Sequence, residues 1–296
     1  MDAIVVEARR NGIVEARHRV HAVAVRDGTV VAEAGDRGLT CFMRSASKPI
    51  QALPLVRARD DLDDRDLAIA SASHRATHDQ IEAVRRLLEK GPASENELEL
   101  GPQDGRPPDR IYNNCSGKHA GMLALCRAHG WDADGYRLPG HPVQRACAEA
   151  HAEASQLAED DLPTATDGCG VVTFALPLER MAAAFSRFET LPGGARVADA
   201  MRAHPELVGG PDGPDFDLMR LAHGWFAKGG AEGLLCAGGP GGLGIALKTE
   251  DGDARAHRPA LAAFLGSLGV DLPGFAEVPL RNTRDERVGE LVVSGW

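Results

Sequence analysis

Apolar and polar positions follow three regimes along the chain. Through about residue 40 the apolar runs are short and end at turn residues. His21-Ala-Val-Ala-Val25 and Thr29-Val-Val-Ala-Glu-Ala34 flank Arg26-Asp27-Gly28, and Asp-Gly between two apolar runs predicts a β-hairpin. From Pro49 the period becomes helical. Pro49 suits a first helical turn, with Ile50, Leu53, Leu55 and Val56 as an apolar stripe. Asp79 to Lys90 sets Ile81, Val84, Leu87 and Leu88 on one face and stops at Gly91-Pro92. Further helices are expected over Gly117–His129, Pro142–Glu159, Leu176–Phe188 and Ala195–His204, with Gly/Pro-rich loops at 101–108 and 208–214. The tail returns to strands at Gly233–Ala237, Leu243–Lys248 and Gly289–Val293, around a helix over Pro259–Leu268.

Strands at both ends and helices between them predict an α/β (α+β) fold: one mostly antiparallel sheet built from both termini, covered by a helical middle region. A chain of 296 residues is long enough for one large core, so residues 1–296 are read as a single catalytic-sized domain. A helical sub-lobe over about 49–205 is compatible with the same pattern.

Composition narrows the classes. The net charge is -10, which leaves no basic surplus for phosphates and argues against nucleic acid as a partner. No apolar stretch is long enough for a membrane helix. The first ten residues carry acids where a signal peptide needs a basic segment, and the six widely spaced cysteines form no C-x-x-C pair. Both point to a soluble protein of the reducing cytoplasm. Only five of the 33 basic residues are lysine: Lys48, Lys90, Lys118, Lys228 and Lys248. Base composition accounts for the excess of arginine, but not for where these lysines sit.

Three of them lie in polar constellations. In Arg44-Ser45-Ala46-Ser47-Lys48-Pro49, a serine and a lysine three apart at a helix start share one face. A lysine can take the serine proton once burial lowers its pKa; at the ordinary value only about 0.04% of the amine is neutral at pH 7. The same residues also read as a capped helix with a surface lysine. Ser71-Ala-Ser73-His74 ends a short apolar run with two hydroxyls and an imidazole; it reads equally as a helix cap. Asn113-Asn-Cys115-Ser-Gly-Lys118-His119 opens a helix without P-loop spacing, and its thiol beside a lysine is a low-pKa cysteine or a metal ligand. Thr166-Asp167-Gly168-Cys169 is a polar turn expected to precede an apolar helix, and its acid could receive a substrate ammonium. Lys228-Gly-Gly-Ala231 precedes the strand that holds Cys236. The order Ser45/Lys48, Ser73, Lys228 repeats that of penicillin-recognising enzymes, without the Asn of their second motif or the Thr of their third. His18, His21, His141, His204 and His257 show no metal-ligand spacing and are read as structural or surface residues.

These segments, with Gly140-His-Pro142, resemble the type-II, Rhizobium-type L-asparaginases from about His18 to Lys248. The resemblance implies a fold like serine β-lactamases and glutaminases, a small-molecule amide substrate, and hydrolysis of L-asparagine to L-aspartate and ammonia through an acyl-enzyme. By position, Ser45 matches the nucleophile and Lys48 its base, with Ser73 and Lys228 as a second Ser–Lys pair. Arg44, His74, Cys115, Lys118, His119 and Asp167 match residues at the substrate site. No cofactor is required, but some members bind zinc, and Cys115 and Lys118 match ligand positions there. Where such members place a further cysteine, this chain has Asp215, a harder ligand that would weaken or alter zinc binding. A homodimer is a further implication. The competing readings are a glutaminase or other penicillin-recognising-type serine hydrolase, and a non-catalytic zinc- or thiol-binding module on Cys115, Lys118 and Asp215.

Overall fold

The computed structural model describes residues 1–211 and 213–296; Asp212, within the loop expected at 208–214, lies outside the described residues. Eleven strands are found among them: β1 (Ile4–Arg10), β2 (Ile13–Arg26), β3 (Thr29–Ala34), β4 (Thr40–Phe42), β5 (Thr164–Thr166), β6 (Val172–Pro177), β7 (Phe226–Gly230), β8 (Leu234–Gly239), β9 (Leu243–Thr249), β10 (Glu277–Arg281) and β11 (Arg287–Gly295). The main sheet has the order β10-β11-β1-β2-β9-β8-β7, with β3 paired to β2. All of its pairings are antiparallel. Residues from both termini therefore meet in one α+β sheet, as the strand–helix–strand pattern implied.

The expected hairpin turn is present: Asp27 and Gly28 both take positive φ (50° and 73°), the conformation that selects Asp-Gly between twisted strands. Residues 20–25 of β2 are all buried, so both faces of the sheet centre are covered. Helix 178–187 packs on β2, β8 and β9, while helix 257–267 packs on β1, β2, β9, β10 and β11. One continuous buried cluster runs from Ile4 and Val23 through Phe185 to Leu67 and Leu123.

Several segments differ from the sequence pattern. The helix expected from Leu176 begins at Leu178, and Val172-Thr-Phe-Ala-Leu-Pro177 before it is strand β6. β6 is buried on both faces, so its continuous apolar run carries no period to separate strand from helix. Lys228 lies within a strand of its own, β7, on the sheet edge and opposite Cys236 of β8. β10 was not anticipated because its alternation is short and includes Pro279.

Helix 178–187 lies so close to β9 that a Cβ on Gly244 would fall 2.1 Å from Ala182 O and 2.2 Å from Ser186 N. Gly244→Ala must push the helix off the sheet and is expected to destabilise by about 1–3 kcal/mol. Gly266→Ala, in helix 257–267 with nothing within 4 Å of the new Cβ, should instead be neutral or stabilising. Urea midpoints of the two variants check this; equal shifts would contradict the packing argument.

Candidate active site

β4 and β6 pair beside the main sheet, and Met43 N donates to Phe174 O at 2.8 Å to extend that pairing. The chain then turns sharply. Arg44 has φ +49°, a strained conformation for a non-glycine residue, and opens the short 3-10 turn Arg44–Ser47 that leads into helix 48–51. The turn is held from three sides. Arg44 N donates to Thr173 Oγ1 (3.2 Å), Arg44 Nε donates to Asp167 Oδ1 (2.6 Å), and Ser47 Oγ meets His151 Nε2 at 2.5 Å. The His151 ring lies over Phe174, centroids 4.1 Å apart, with its Nδ1 on Cys147 O at 2.6 Å. His151 Nδ1 is therefore the donor and Ser47 donates to Nε2, a buried clamp that the sequence did not signal.

Lys48 is fully buried. Its Nζ donates to Ala72 O (2.5 Å), Ser73 Oγ (3.0 Å) and Asn114 O (3.5 Å). Burial pulls its pKa down to about 8, Cys115 opposes this, and the charges of Lys118 and Lys228 add to the fall. The capped-helix reading with a surface lysine does not describe this side chain. Helix 116–129 brings the third constellation beside the second: Gly117 sits where a Cβ would lie 2.2 Å from Ile69 O, just before Ala72 and Ser73.

Ser45 opens onto a cleft of about 350 Å³ lined also by Arg44, Gln103, Asp104, Asn113, Asn114, Cys115, Asp167, Cys169 and Ala231. Of the six side chains matched to the substrate site, Arg44, Cys115 and Asp167 line this cleft. His74, Lys118 and His119 do not; they are enclosed in its wall. His74 Nδ1 accepts from Ala76 N (3.1 Å) and its Nε2 lies 2.8 Å from Ser116 Oγ, which itself donates to Ile111 O. The imidazole is thus neutral, and burial holds its pKa at about 3, with Lys48 and Arg106 adding. His119 Nδ1 meets Tyr136 OH at 2.6 Å, and that hydroxyl accepts from Glu99 N (2.9 Å). Burial, then the Lys118 charge, holds His119 at about 3 as well. Both imidazoles are buried and neutral, turned into the wall and away from the cleft surface.

Lys118 Nζ is 3.1 Å from Cys169 Sγ. Cys115 Sγ donates to Asn114 Oδ1 at 3.1 Å. The neighbouring Cys115 thiol and then the Lys118 ammonium draw the Cys169 pKa down to about 5 against burial, while Cys169 and then burial push Cys115 up to about 12. Of the two thiols, Cys169, beside the Lys118 ammonium, is the one favoured to ionise. Nothing in its own segment marks Cys169 as a charged group, because its partner Lys118 lies 51 positions away. Asp167 also accepts from Gly168 N (2.8 Å), and although burial pushes its carboxyl upward, Lys118 and Arg44 outweigh this and hold it below the usual range.

Two expected associations are rearranged. Ser73 Oγ is engaged by Lys48, whereas Lys228 Nζ donates to Gly229 O (2.8 Å) and pairs with Asp215 Oδ2 (3.6 Å). Asp215 is thereby taken from the ligand set proposed with Cys115 and Lys118: its carboxylate serves a buried ammonium and the N–H groups of Gly229 and Phe216. All six cysteines are free. Among the described residues no group of three or more His, Cys, Asp or Glu side chains could hold a metal, and no helix is long and apolar enough to cross a membrane.

The family model for L-asparaginase II matches residues 6–293. The chain belongs to the L-asparaginase II family. It is on that ground an amidohydrolase. No curated protein gives a significant match. Among solved structures the chain is similar to SurE with D-Leu (16% identity, TM-score 0.49, covering 89% of this chain and 74% of that one). It is also similar to a class A β-lactamase from Mycobacterium abscessus (15% identity, TM-score 0.43, covering 86% and 95%).

Proposed function

We propose that this amidohydrolase converts L-asparagine and water to L-aspartate and ammonia through an acyl-enzyme on Ser45, with Lys48 as general base. The observation that carries the reading is the fully buried Lys48 amine, three residues from a cleft-lining serine and bonded to Ser73. With a pKa of about 8, roughly a tenth of the amine is neutral at pH 7, some two hundred times the fraction of an ordinary lysine.

In the first half-reaction Ser45 Oγ attacks the side-chain amide carbon and its proton passes to neutral Lys48. Lys48 already holds Ser73; catalytic hydrogen bonds such as the one to Ser45 close in the Michaelis complex. The backbone N–H groups of Ser45 and Ala231, both in cleft-lining residues, are the donors we assign to the tetrahedral oxyanion. Collapse breaks the C–N bond, and the proton returns from Lys48 through Ser73 to the departing nitrogen, so ammonia leaves neutral. Water then attacks the acyl carbon, gives its proton to Lys48, and expels Ser45 with that proton restored. The Arg44–Asp167 pair offers a guanidinium for the α-carboxylate and a carboxylate for the α-ammonium.

Cys115, Cys169 and Lys118 are the residues that would hold a zinc ion, two sulfurs and an amine that must give up their protons to bind it, since Asp215 is engaged by Lys228. Zinc held there would supply a Lewis acid in the cleft wall, outside the proton path of Ser45, Lys48 and Ser73.

The test is ammonia release from asparagine and glutamine measured side by side, with and without chelator. We expect asparagine to be preferred at least tenfold in kcat/KM and chelator to leave turnover in place. Preference for glutamine would move the chain to the alternative substrate, and turnover abolished by chelator and restored by zinc would displace the serine mechanism.

A further inference from the structure

Lys228 and Asp215 are buried together at the edge strand, 1% and 6% exposed. The Nζ–Oδ2 separation is 3.6 Å, Lys228 also donates to Gly229 O at 2.8 Å, and Asp215 accepts from Gly229 N at 2.9 Å and Phe216 N at 3.0 Å. Glycines surround the carboxylate. A Cβ on Gly213 would lie 2.6 Å from Oδ1, and one on Gly209 or Gly229 would lie 3.2 or 3.3 Å from a carboxylate oxygen. The site is therefore shaped to an aspartate, with no room for a longer acid. It also adjoins the serine of the proton path: Gly209 follows Val208, whose carbonyl accepts Ser73 N at 2.7 Å.

We infer that Asp215 is a positioning residue for Lys228: it holds the ammonium against the Gly229 carbonyl, at a fixed place beside the proton path of Ser73 and Lys48. This rests on the proposed amidohydrolase reading of Ser45, Lys48 and Ser73. The physical reason is the cost of an unpaired buried ion. An ammonium enclosed this fully stays where its carboxylate is, and releasing either partner leaves the other uncompensated. The charged or titratable groups that face Lys228 are Asp215 and, at longer range, Cys115 and Lys48. A Lys228 freed from Asp215 would therefore alter the field at the general base.

Asp215→Asn keeps the side-chain volume and removes the charge. It is expected to lower kcat for asparagine about tenfold or more with KM within about threefold, and Asp215→Glu should do the same because the added methylene does not fit. The double variant Asp215→Asn/Lys228→Met buries neither charge and remains foldable where a single variant is not. Its kcat loss should be no greater than that of the worse folded single variant, or about tenfold if neither folds, since the two residues act as a unit. Melting temperatures are recorded alongside. Asp215→Asn turning over within twofold of wild type, or a double variant with multiplied losses or no loss, overturns the inference while leaving the amidohydrolase reading intact. A wild-type protein that releases no ammonia from asparagine or glutamine overturns both.

Discussion

Ser45→Ala should lower kcat for asparagine by about 10⁴-fold or more, with the protein folded and its melting temperature little changed. The size follows from what is removed. Without the hydroxyl no acyl-enzyme forms, and the remaining catalysis is that of a cleft with hydrogen-bond donors and no nucleophile. Ser45 is half-buried at the cleft surface and leaves no cavity when truncated. Ser47, two residues on, gives the opposite outcome. Its hydroxyl is wholly buried on His151, so Ser47→Ala should cost about 1–3 kcal/mol of stability while retaining most turnover. Quenched-flow mass spectrometry of the wild type should show an intermediate on the peptide that contains Ser45. Turnover by Ser45→Ala near the wild-type rate would remove Ser45 as nucleophile, and an intermediate on another residue would reassign it.

Lys48→Arg should be nearly as damaging as Lys48→Ala, each by about 10³-fold or more in kcat. The conservative replacement keeps a positive charge, so the prediction separates a base from a fixed cation. Guanidinium does not release its proton at any working pH, and its planar fork does not fit a pocket that surrounds one amine with Ala72 O, Ser73 Oγ and Asn114 O. The pH dependence follows with a definite sign. Burial lowers the Lys48 pKa to about 8, and the neutral amine is the active form. kcat/KM should therefore rise tenfold per pH unit below about 8 and level off above it. A flat profile from pH 6 to 9, or substantial turnover in Lys48→Arg, would remove Lys48 as the base.

The features legible in the sequence are those that one short segment defines by itself. Asp27-Gly28 announces its hairpin because few residues accept positive φ. Ser45 and Lys48 announce a shared face because a helical turn brings i and i+3 together. The five lysines form a useful short list: Lys48, Lys118 and Lys228 are all buried, which lysine rarely is without a partner. β6 was illegible because a strand covered on both faces loses its alternation. That His74, Lys118 and His119 face into the cleft wall was illegible for a related reason, since residue type and spacing do not reveal which way a side chain faces.

What the sequence by itself determined is the inventory: an α+β order with strands at both ends, the family, and the segments that carry nucleophile, amines, thiols and acid. Tertiary structure decided the pairings. It gave Ser73 to Lys48, Cys169 to Lys118 and Asp215 to Lys228, across separations of 25, 51 and 13 residues. The reason is electrostatic. A side chain's proton affinity depends on the water it loses and on the charges that distant segments bring within a few ångströms, and neither is a property of the local chain.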